Sequence, residues 1–342
     1  MPKPKALVVM NPESFRAHFD DARTARLAAL ADLGDGGADG GPVCLHELDS
    51  PAARRRLRDA DVLLTSWGAP ALTAERLRDA PALRAVFHAA GSVRPLVTSE
   101  VWRRGIRMTS AADANAIPVA EYTLAAIIFA GKKVPFIAAD PEAAYRGWSH
   151  LGGYGNLSNY RRTVGVVGFS RIGRRVVGLL DRLDATVCLV ADPHADPAEV
   201  AAAGGVLVDL PELLARSETL TLHAPALPST HHMIGAAELA LLPDHATVVN
   251  TARGSLIDSA ALAAECRSGR LFAILDVTEP EPLPPGNPLR STPNVLITPH
   301  LAGSLGTEIL RLTDHTLDEL ARWIAGEPLR AEITPQAFAL NA

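Results

Sequence analysis

Val164-Gly165-Val166-Val167-Gly168-Phe169-Ser170-Arg171-Ile172-Gly173 is an apolar run that breaks at one glycine and reaches another five residues on. A buried strand that turns sharply into a helix has this form. Gly168 permits the tight turn and Gly173 lets the helix pack closely on the strand. The open N–H groups at the helix start, around Ser170, Arg171 and Ile172, can hold a pyrophosphate. The pattern is G-x-S-x-x-G, so Ser170 stands where a residue without Cβ would bring the backbone closest to the phosphates. Asp192 ends the next strand, 19 residues after Gly173. There a carboxylate accepts from a ribose 2′-hydroxyl and repels a 2′-phosphate. Together these features point to NAD rather than NADP as cofactor.

The surrounding sequence fits a sheet built around this unit. Short apolar runs at 163–168, 186–191, 219–223, 246–250, 272–277 and 295–298 read as strands buried on both faces. Helical segments at 172–183, 210–216, 236–242 and 258–268 lie between them, giving six strands with crossovers, a dinucleotide-binding domain. The Pro-rich stretch 280–293 is neither helix nor central strand, and so is a loop at the carboxyl edge of that sheet, where ligand belongs. The N-terminal third repeats the rhythm. Strands are expected at 5–10, 43–47, 61–66, 83–89 and 107–109, and helices at 14–33, 52–58, 73–79 and 99–103. The Gly-rich stretch 34–41 reads as a surface loop. A long apolar helix is expected over 118–135, opening at Pro118, and a last helix over 305–325. The fold class is therefore α/β, with parallel, doubly wound sheets.

Composition narrows the function. The 342 residues are 48% hydrophobic and 21% charged, with a formal net charge of -5, which gives no general attraction to nucleic acid or anionic lipid. The locally basic run at 53–58 reads as a solvated helix face. Residues 122–131 are the longest apolar run, too short to cross a bilayer core of about 30 Å, so no membrane association is expected. The opening residues do not have the form of a signal peptide. Cys44, Cys188 and Cys266 are far apart with no CxxC, as in a reduced, cytoplasmic protein.

Three further segments place ionisable groups just past strands. In Asn250-Thr251-Ala252-Arg253-Gly254 an arginine sits between a buried strand and a glycine, and its guanidinium fork suits a carboxylate. In Asp276-Val277-Thr278-Glu279-Pro280-Glu281-Pro282 two carboxylates, Asp276 and Glu281, follow the next strand, and Thr298-Pro299-His300 follows the one after it. A Glu beside a His favours the imidazolium, and such a pair can deliver a proton to a carbonyl oxygen as hydride reaches its carbon. Singly, each of these is an ordinary loop residue.

In combination they resemble the D-isomer-specific 2-hydroxyacid dehydrogenase family. The Asn250–Gly254 segment is similar to the signature around that family's catalytic Arg. Asp276–Pro282 is similar to its D-V-x-x-x-E-P element, and Thr298–His300 to its T-P-H element. Thr221-Leu222-His223-Ala224-Pro225 and Val119-Ala120-Glu121-Tyr122 also match, so the likeness runs over roughly residues 60–325. The resemblance implies two Rossmann/flavodoxin-like domains, a cofactor domain (111–304) inserted into a discontinuous substrate domain (1–110 and 305–342), with homodimers formed through the cofactor domains. It implies that Arg253 binds the carboxylate and carbonyl of a 2-oxo or 2-hydroxy acid, that His300 is the acid/base and that Glu281 tunes it. Asp276 would contact the nicotinamide amide. His223, Pro225, Thr251, Ala252 and Gly303 would line the cofactor, and Gly91 and Ser92 would offer backbone N–H groups to the substrate carboxylate.

The chain departs from the family at Ser170 and at Arg94, which falls near an Asp-Asn pair common in the family. Arg94 either pairs with a second acidic group on the substrate or lies on the surface. Trp67 either lines the pocket or packs between domains. His231-His232 reads as a surface pair, because adjacent residues point apart and no third ligand is near in sequence; no metal is expected. Two other activities stay open: a phosphite-type anion dehydrogenase, and an NAD-sensing dimeric binding protein of the corepressor type. Formate chemistry is disfavoured by Glu281.

Overall fold

The computed structural model describes residues 2–34, 42–184 and 186–340, so the greater part of the expected Gly-rich loop lies outside the described residues. The chain divides into two compact units, Met1–Asn115 with Ser304–Ala342, and Ala116–Gly303.

In the first unit, β1 (Ala6–Val9), β2 (Cys44–Leu45), β3 (Val62–Thr65), β4 (Ala85–His88) and β5 (Arg107–Ser110) form one parallel sheet in the order β2-β1-β3-β4-β5. This is the flavodoxin-like order. Every residue of β1, β3 and β4 is buried, as strands covered on both faces require. Helices start where the sequence supplies a cap: the side chains of Asn11, Asp20, Ser50 and Thr73 each accept a first-turn N–H. Asp20 also accounts for a difference from expectation. The helix expected over 14–33 is two, Pro12–His18 and Asp21–Leu30, because the chain extends at Phe19 and Asp20 and is capped afresh. The returning helix Glu308–Ala325 buries Leu317 and Leu320 against Phe87 and Leu27, and stops at Gly326 in the left-handed region (φ 71°).

The second unit holds β6 (Thr163–Val167), β7 (Val187–Ala191), β8 (Val206–Leu207), β9 (Thr219–Leu222), β10 (Thr247–Asn250), β11 (Phe272–Leu275) and β12 (Val295–Ile297). All are parallel, in the order β12-β11-β10-β9-β6-β7-β8. Among the described residues there are thus seven strands where six were expected. The extra one, β8, is a two-residue edge strand paired to β7, too short to leave a periodic signal. Successive residues feed opposite faces: Val248 joins one apolar cluster with Leu220 and Ala273, Val249 the other with Val166 and Ile274. Strand order reverses between β6 and β9, and the crevice beyond their carboxyl ends is where such sheets bind ligands.

The long apolar helix runs over Ala112–Gly131 and carries Pro118 inside it, rather than starting there. Ala111 O accepts the Asn115 N–H and opens the helix early, and the proline removes only the bond to Ala114 O. By length and composition this helix is long enough to cross a membrane, but half of its most apolar window is buried within the protein.

Candidate active site

The turn after β6 is shaped by close backbone approach. Gly168 has φ 94°, and a Cβ there would lie 2.7 Å from Ala224 N, while one on Gly173 would lie 1.9 Å from Gly168 O. Neither position accepts a side chain without moving the β9 loop or the helix Arg171–Leu180. Ser170 occupies that helix's N-cap position but makes no side-chain cap bond, and its side chain, like that of Arg171, is exposed. A helix start leaves its first-turn N–H groups without intrahelical partners, and the Ser170 side chain caps none of them; Ile172 is half-buried. Asp192, at the end of β7, braces this turn: its carboxylate accepts the Phe169 N–H at 2.7 Å and the His194 N–H at 2.8 Å. Two oxygens offer about four acceptor sites, so capacity remains for a ribose hydroxyl. Across the crevice, His223 is buried beside half-buried Pro225. Its Nε2 meets Thr221 Oγ1 at 3.0 Å, and its Nδ1 is buried with no hydrogen-bond partner among the described residues. Burial pushes this imidazole down to about 3, so it is neutral. A cradle closed to Cβ, a helix start without a side-chain cap, a braced carboxylate and an orphaned imidazole nitrogen fit a bound dinucleotide.

The neighbouring strands β10, β11 and β12 deliver Arg253, Asp276 with Glu281, and His300 to the same carboxyl edge. Asp276 is 2% exposed, and its carboxylate accepts three bonds: Thr298 Oγ1 at 2.6 Å, Leu301 N–H at 2.8 Å and Ala302 N–H at 2.9 Å. Its carbonyl also accepts the His300 N–H at 2.9 Å. These bonds hold the loop from Thr298 to Ala302, in which His300 takes a left-handed conformation (φ 54°). Because Thr298 spends its only proton on Asp276, Tyr122 must donate to Thr298 Oγ1, at 2.8 Å. Burial raises the Tyr122 hydroxyl above its usual range, keeping it a donor. His300 Nδ1 lies 2.7 Å from Glu281 Oε1, with both side chains about half exposed. That contact occupies one ring nitrogen and leaves Nε2 for another group.

Arg253 leaves β10 in extended conformation and is half-buried. Asn250 Nδ2 donates to its carbonyl at 2.8 Å, Asn250 Oδ1 accepts the Ala252 N–H, and Arg253 Nη1 reaches Ala252 O at 2.6 Å. Thr251 is buried against Thr123, Oγ1 to Oγ1 at 2.8 Å. Gly254 is required by contact, since a Cβ there would meet Thr278 C and O at 2.1 Å. Gly303 is the last residue of this unit.

In the first unit, Gly91 and Ser92 are half-buried in the loop after β4, and a Cβ on Gly91 would lie 3.2 Å from Asn115 Nδ2. Arg94 is exposed, with its guanidinium 5.3 Å from the centre of the Phe338 ring. Trp67 follows β3, is 40% exposed and meets the His18 ring in a tilted contact, centroids 5.6 Å apart. Sequence reasoning missed the polar cluster beneath it. His18 Nδ1 meets Thr313 Oγ1 at 2.7 Å and Nε2 meets Ser66 Oγ at 2.8 Å, while His88 Nδ1 meets Thr65 Oγ1 at 2.9 Å. Burial, reinforced at His18 by His88, pushes His18 down to about 4, and burial does the same at His88. Both are neutral donors or acceptors, and His18 lies against Trp67. The missed Tyr122–Thr298–Asp276 chain did carry a signal, a tyrosine inside an otherwise apolar helix.

One reading is corrected. His231 and His232 do not point apart: their rings stack at 3.9 Å, and Glu279 Oε2 lies 3.6 and 3.1 Å from their Nε2 atoms. His232 is left-handed (φ 52°), which turns consecutive side chains to one side, and the third group comes from 47 residues away.

Comparison with known proteins agrees with this geometry. The family profile described as "D-isomer specific 2-hydroxyacid dehydrogenase, NAD binding domain" matches residues 130–302. The chain is 35% identical over 252 residues to D-3-phosphoglycerate dehydrogenase of Methanocaldococcus jannaschii, covering 73% of this chain and 47% of that one. It thus spans about half the length of such relatives. It is 30% identical over 276 residues to glyoxylate reductase of Korarchaeum cryptofilum, covering 80% of this chain and 82% of the other. Its fold is like that of Rhodotorula graminis D-mandelate dehydrogenase, with TM-score 0.80 and 22% identity, covering 97% and 98% of the two chains. With a dinucleotide turn, two doubly wound sheets and likeness along most of a glyoxylate reductase, the chain belongs to the D-isomer specific 2-hydroxyacid dehydrogenase family.

Proposed function

We propose that this chain is an NAD-dependent, D-specific oxidoreductase that interconverts a 2-oxo acid and its 2-hydroxy acid. The observation that carries the reading is the His300 Nδ1–Glu281 Oε1 contact at 2.7 Å, at the carboxyl edge that also bears Arg253 and the dinucleotide turn. NADH, when bound, supplies the hydride. Arg253 orients the acid, its planar fork matching a carboxylate. His300, protonated and steered by Glu281, gives its Nε2 proton to the carbonyl oxygen as that oxygen gains charge, and takes it back in oxidation. Asp276 keeps about one acceptor site unspent after its three bonds, enough for a nicotinamide amide. Gly91 and Ser92 serve the substrate carboxylate through backbone N–H groups, and Trp67 and Arg94 belong to the selection of the side chain. All three thiols are free, as a reducing, cytoplasmic setting would leave them. A homodimer through the cofactor units completes the proposal.

The test is NADH consumption over a panel of 2-oxo acids graded in size and in second charge, with phosphite and NAD as a separate arm. Turnover of at least one 2-oxo acid is expected. Activity with phosphite alone would replace the substrate class, and tight NADH binding without turnover on any member would replace the enzyme by a nucleotide-sensing protein.

A further inference from the structure

The corrected histidine pair has a chemistry that the dehydrogenase reading does not use. His231, His232 and Glu279 are exposed, and one ligand atom from each lies within 4.8 Å of the other two. Zn–N and Zn–O bonds of about 2.0–2.2 Å set donor atoms in a tetrahedral site about 3.3–3.5 Å apart. The separations here, 3.1 and 3.6 Å from Glu279 Oε2 to the two Nε2 atoms, bracket that value.

The backbone beneath all three donors is already fixed. His232 N–H donates to Ser255 O at 2.8 Å, and the turn before it is tied by Thr230 Oγ1, which donates to Pro225 O at 2.5 Å. Ser259 Oγ donates to Glu279 O at 3.3 Å, and the Thr278–Glu279 peptide lies against Gly254, where no Cβ fits. Only side-chain rotation therefore remains to be lost on binding an ion. Two imidazoles and a carboxylate, with open solvent for a water ligand, suit a late first-row divalent ion. Mg2+ and Ca2+ require all-oxygen shells.

We propose that His231, His232 and Glu279 form a surface site for a divalent transition-metal ion of the Zn2+ type, with water completing the shell. The ion would join the loop at 227–234 to the loop at 278–282, which flank the Arg253–Gly254 turn. Glu279 is two residues from Glu281, so a bound ion would restrain the segment that carries the partner of His300.

The untagged 342-residue chain, freed of metal by a chelator, is titrated calorimetrically with Zn2+ and separately with Mg2+, in the absence of nucleotide and substrate. One saturable Zn2+ equivalent is expected, with no Mg2+ response. It should vanish in His231→Gln/His232→Gln, and weaken by at least about tenfold in Glu279→Gln, since even partners outside the ligand shell are worth roughly 10–100-fold. All three side chains are exposed, so the variants keep the wild-type circular dichroism. The same isotherm in wild type and the double His variant, no saturable Zn2+ binding, or an unchanged Glu279→Gln would overturn the site. No outcome depends on turnover, so failure here leaves the dehydrogenase reading untouched.

Discussion

Asp276→Asn separates the structural work of this carboxylate from any contact with cofactor. The substitution is nearly isosteric. With the amide oxygen in the Oδ1 position, the bonds from Thr298 Oγ1 and Leu301 N–H survive. The amide nitrogen then faces the Ala302 N–H at 2.9 Å, donor against donor, in a side chain 2% exposed. The opposite amide orientation strands two donors instead of one. A buried donor left unsatisfied costs about 1–3 kcal/mol. At roughly 2–4 °C per kcal/mol for a unit of this size, the melting temperature falls by about 4–8 °C for a cost near ~2 kcal/mol. The loop that loosens carries His300, so turnover should fall as well, by up to about 100-fold for a displacement near ~1 Å. Thermal unfolding by circular dichroism and steady-state NADH consumption read the two effects. An Asp276→Asn variant that melts within about 1 °C of wild type would refute the brace, because the unsatisfied N–H would then cost well under the ~1 kcal/mol minimum.

Other expectations follow from the same geometry. Wild type should prefer NADH strongly over NADPH, and Asp192→Ala should weaken NADH and relax the exclusion of NADPH; equal kcat/KM for both cofactors in the wild type contradicts this. Ser170→Gly should weaken NADH binding in calorimetry by about 0.5–1.5 kcal/mol if the exposed hydroxyl donates to a phosphate, whereas tighter binding would mean that its Cβ crowds the pyrophosphate. Lys133 is 1% exposed and donates to His245 O and Thr247 Oγ1, and burial, aided by Arg162, pushes it down from 10.5 to about 7. The unfolded chain therefore holds one proton more between those two values, and stability rises with pH across that window by an amount on the order of a few kcal/mol. Lys133→Met should abolish the rise, seen as urea midpoints at pH 7 and 10; an unchanged slope would reject a buried, depressed lysine.

How much of this was legible in the sequence depended on how local each cause is. Strands buried on both faces need continuous apolar runs, so β1, β6 and β11 are visible as residues alone. The need for glycine at 173 is equally local, a close contact with Gly168 O, and the turn at 168 is local too, whereas the closure of Gly168 by Ala224 of the β9 loop is not. Strand order is not local: nothing in the run at 219–222 says that it pairs with 163–167 rather than with its sequence neighbour β8. The break at Phe19 and Asp20 was hidden because Asp is an ordinary residue of a solvated helix face and becomes a cap only once the chain extends before it. The Tyr122–Thr298–Asp276 chain joins residues up to 176 apart, and the His231–His232–Glu279 cluster needed a left-handed histidine that no spacing rule anticipates.

In the proposed reaction hydride passes between nicotinamide and the 2-carbon of an acid while His300 moves the proton. NADH carrying deuterium at the transferable C4 position, incubated with the best 2-oxo acid of the panel, tests it directly. One deuterium is expected at C2 of a product of D configuration, with a rate reduced by roughly 10²–10⁴ in His300→Ala, the usual worth of a positioned acid/base. Deuterium absent from C2, an L product, or a His300→Ala enzyme as fast as wild type would contradict it.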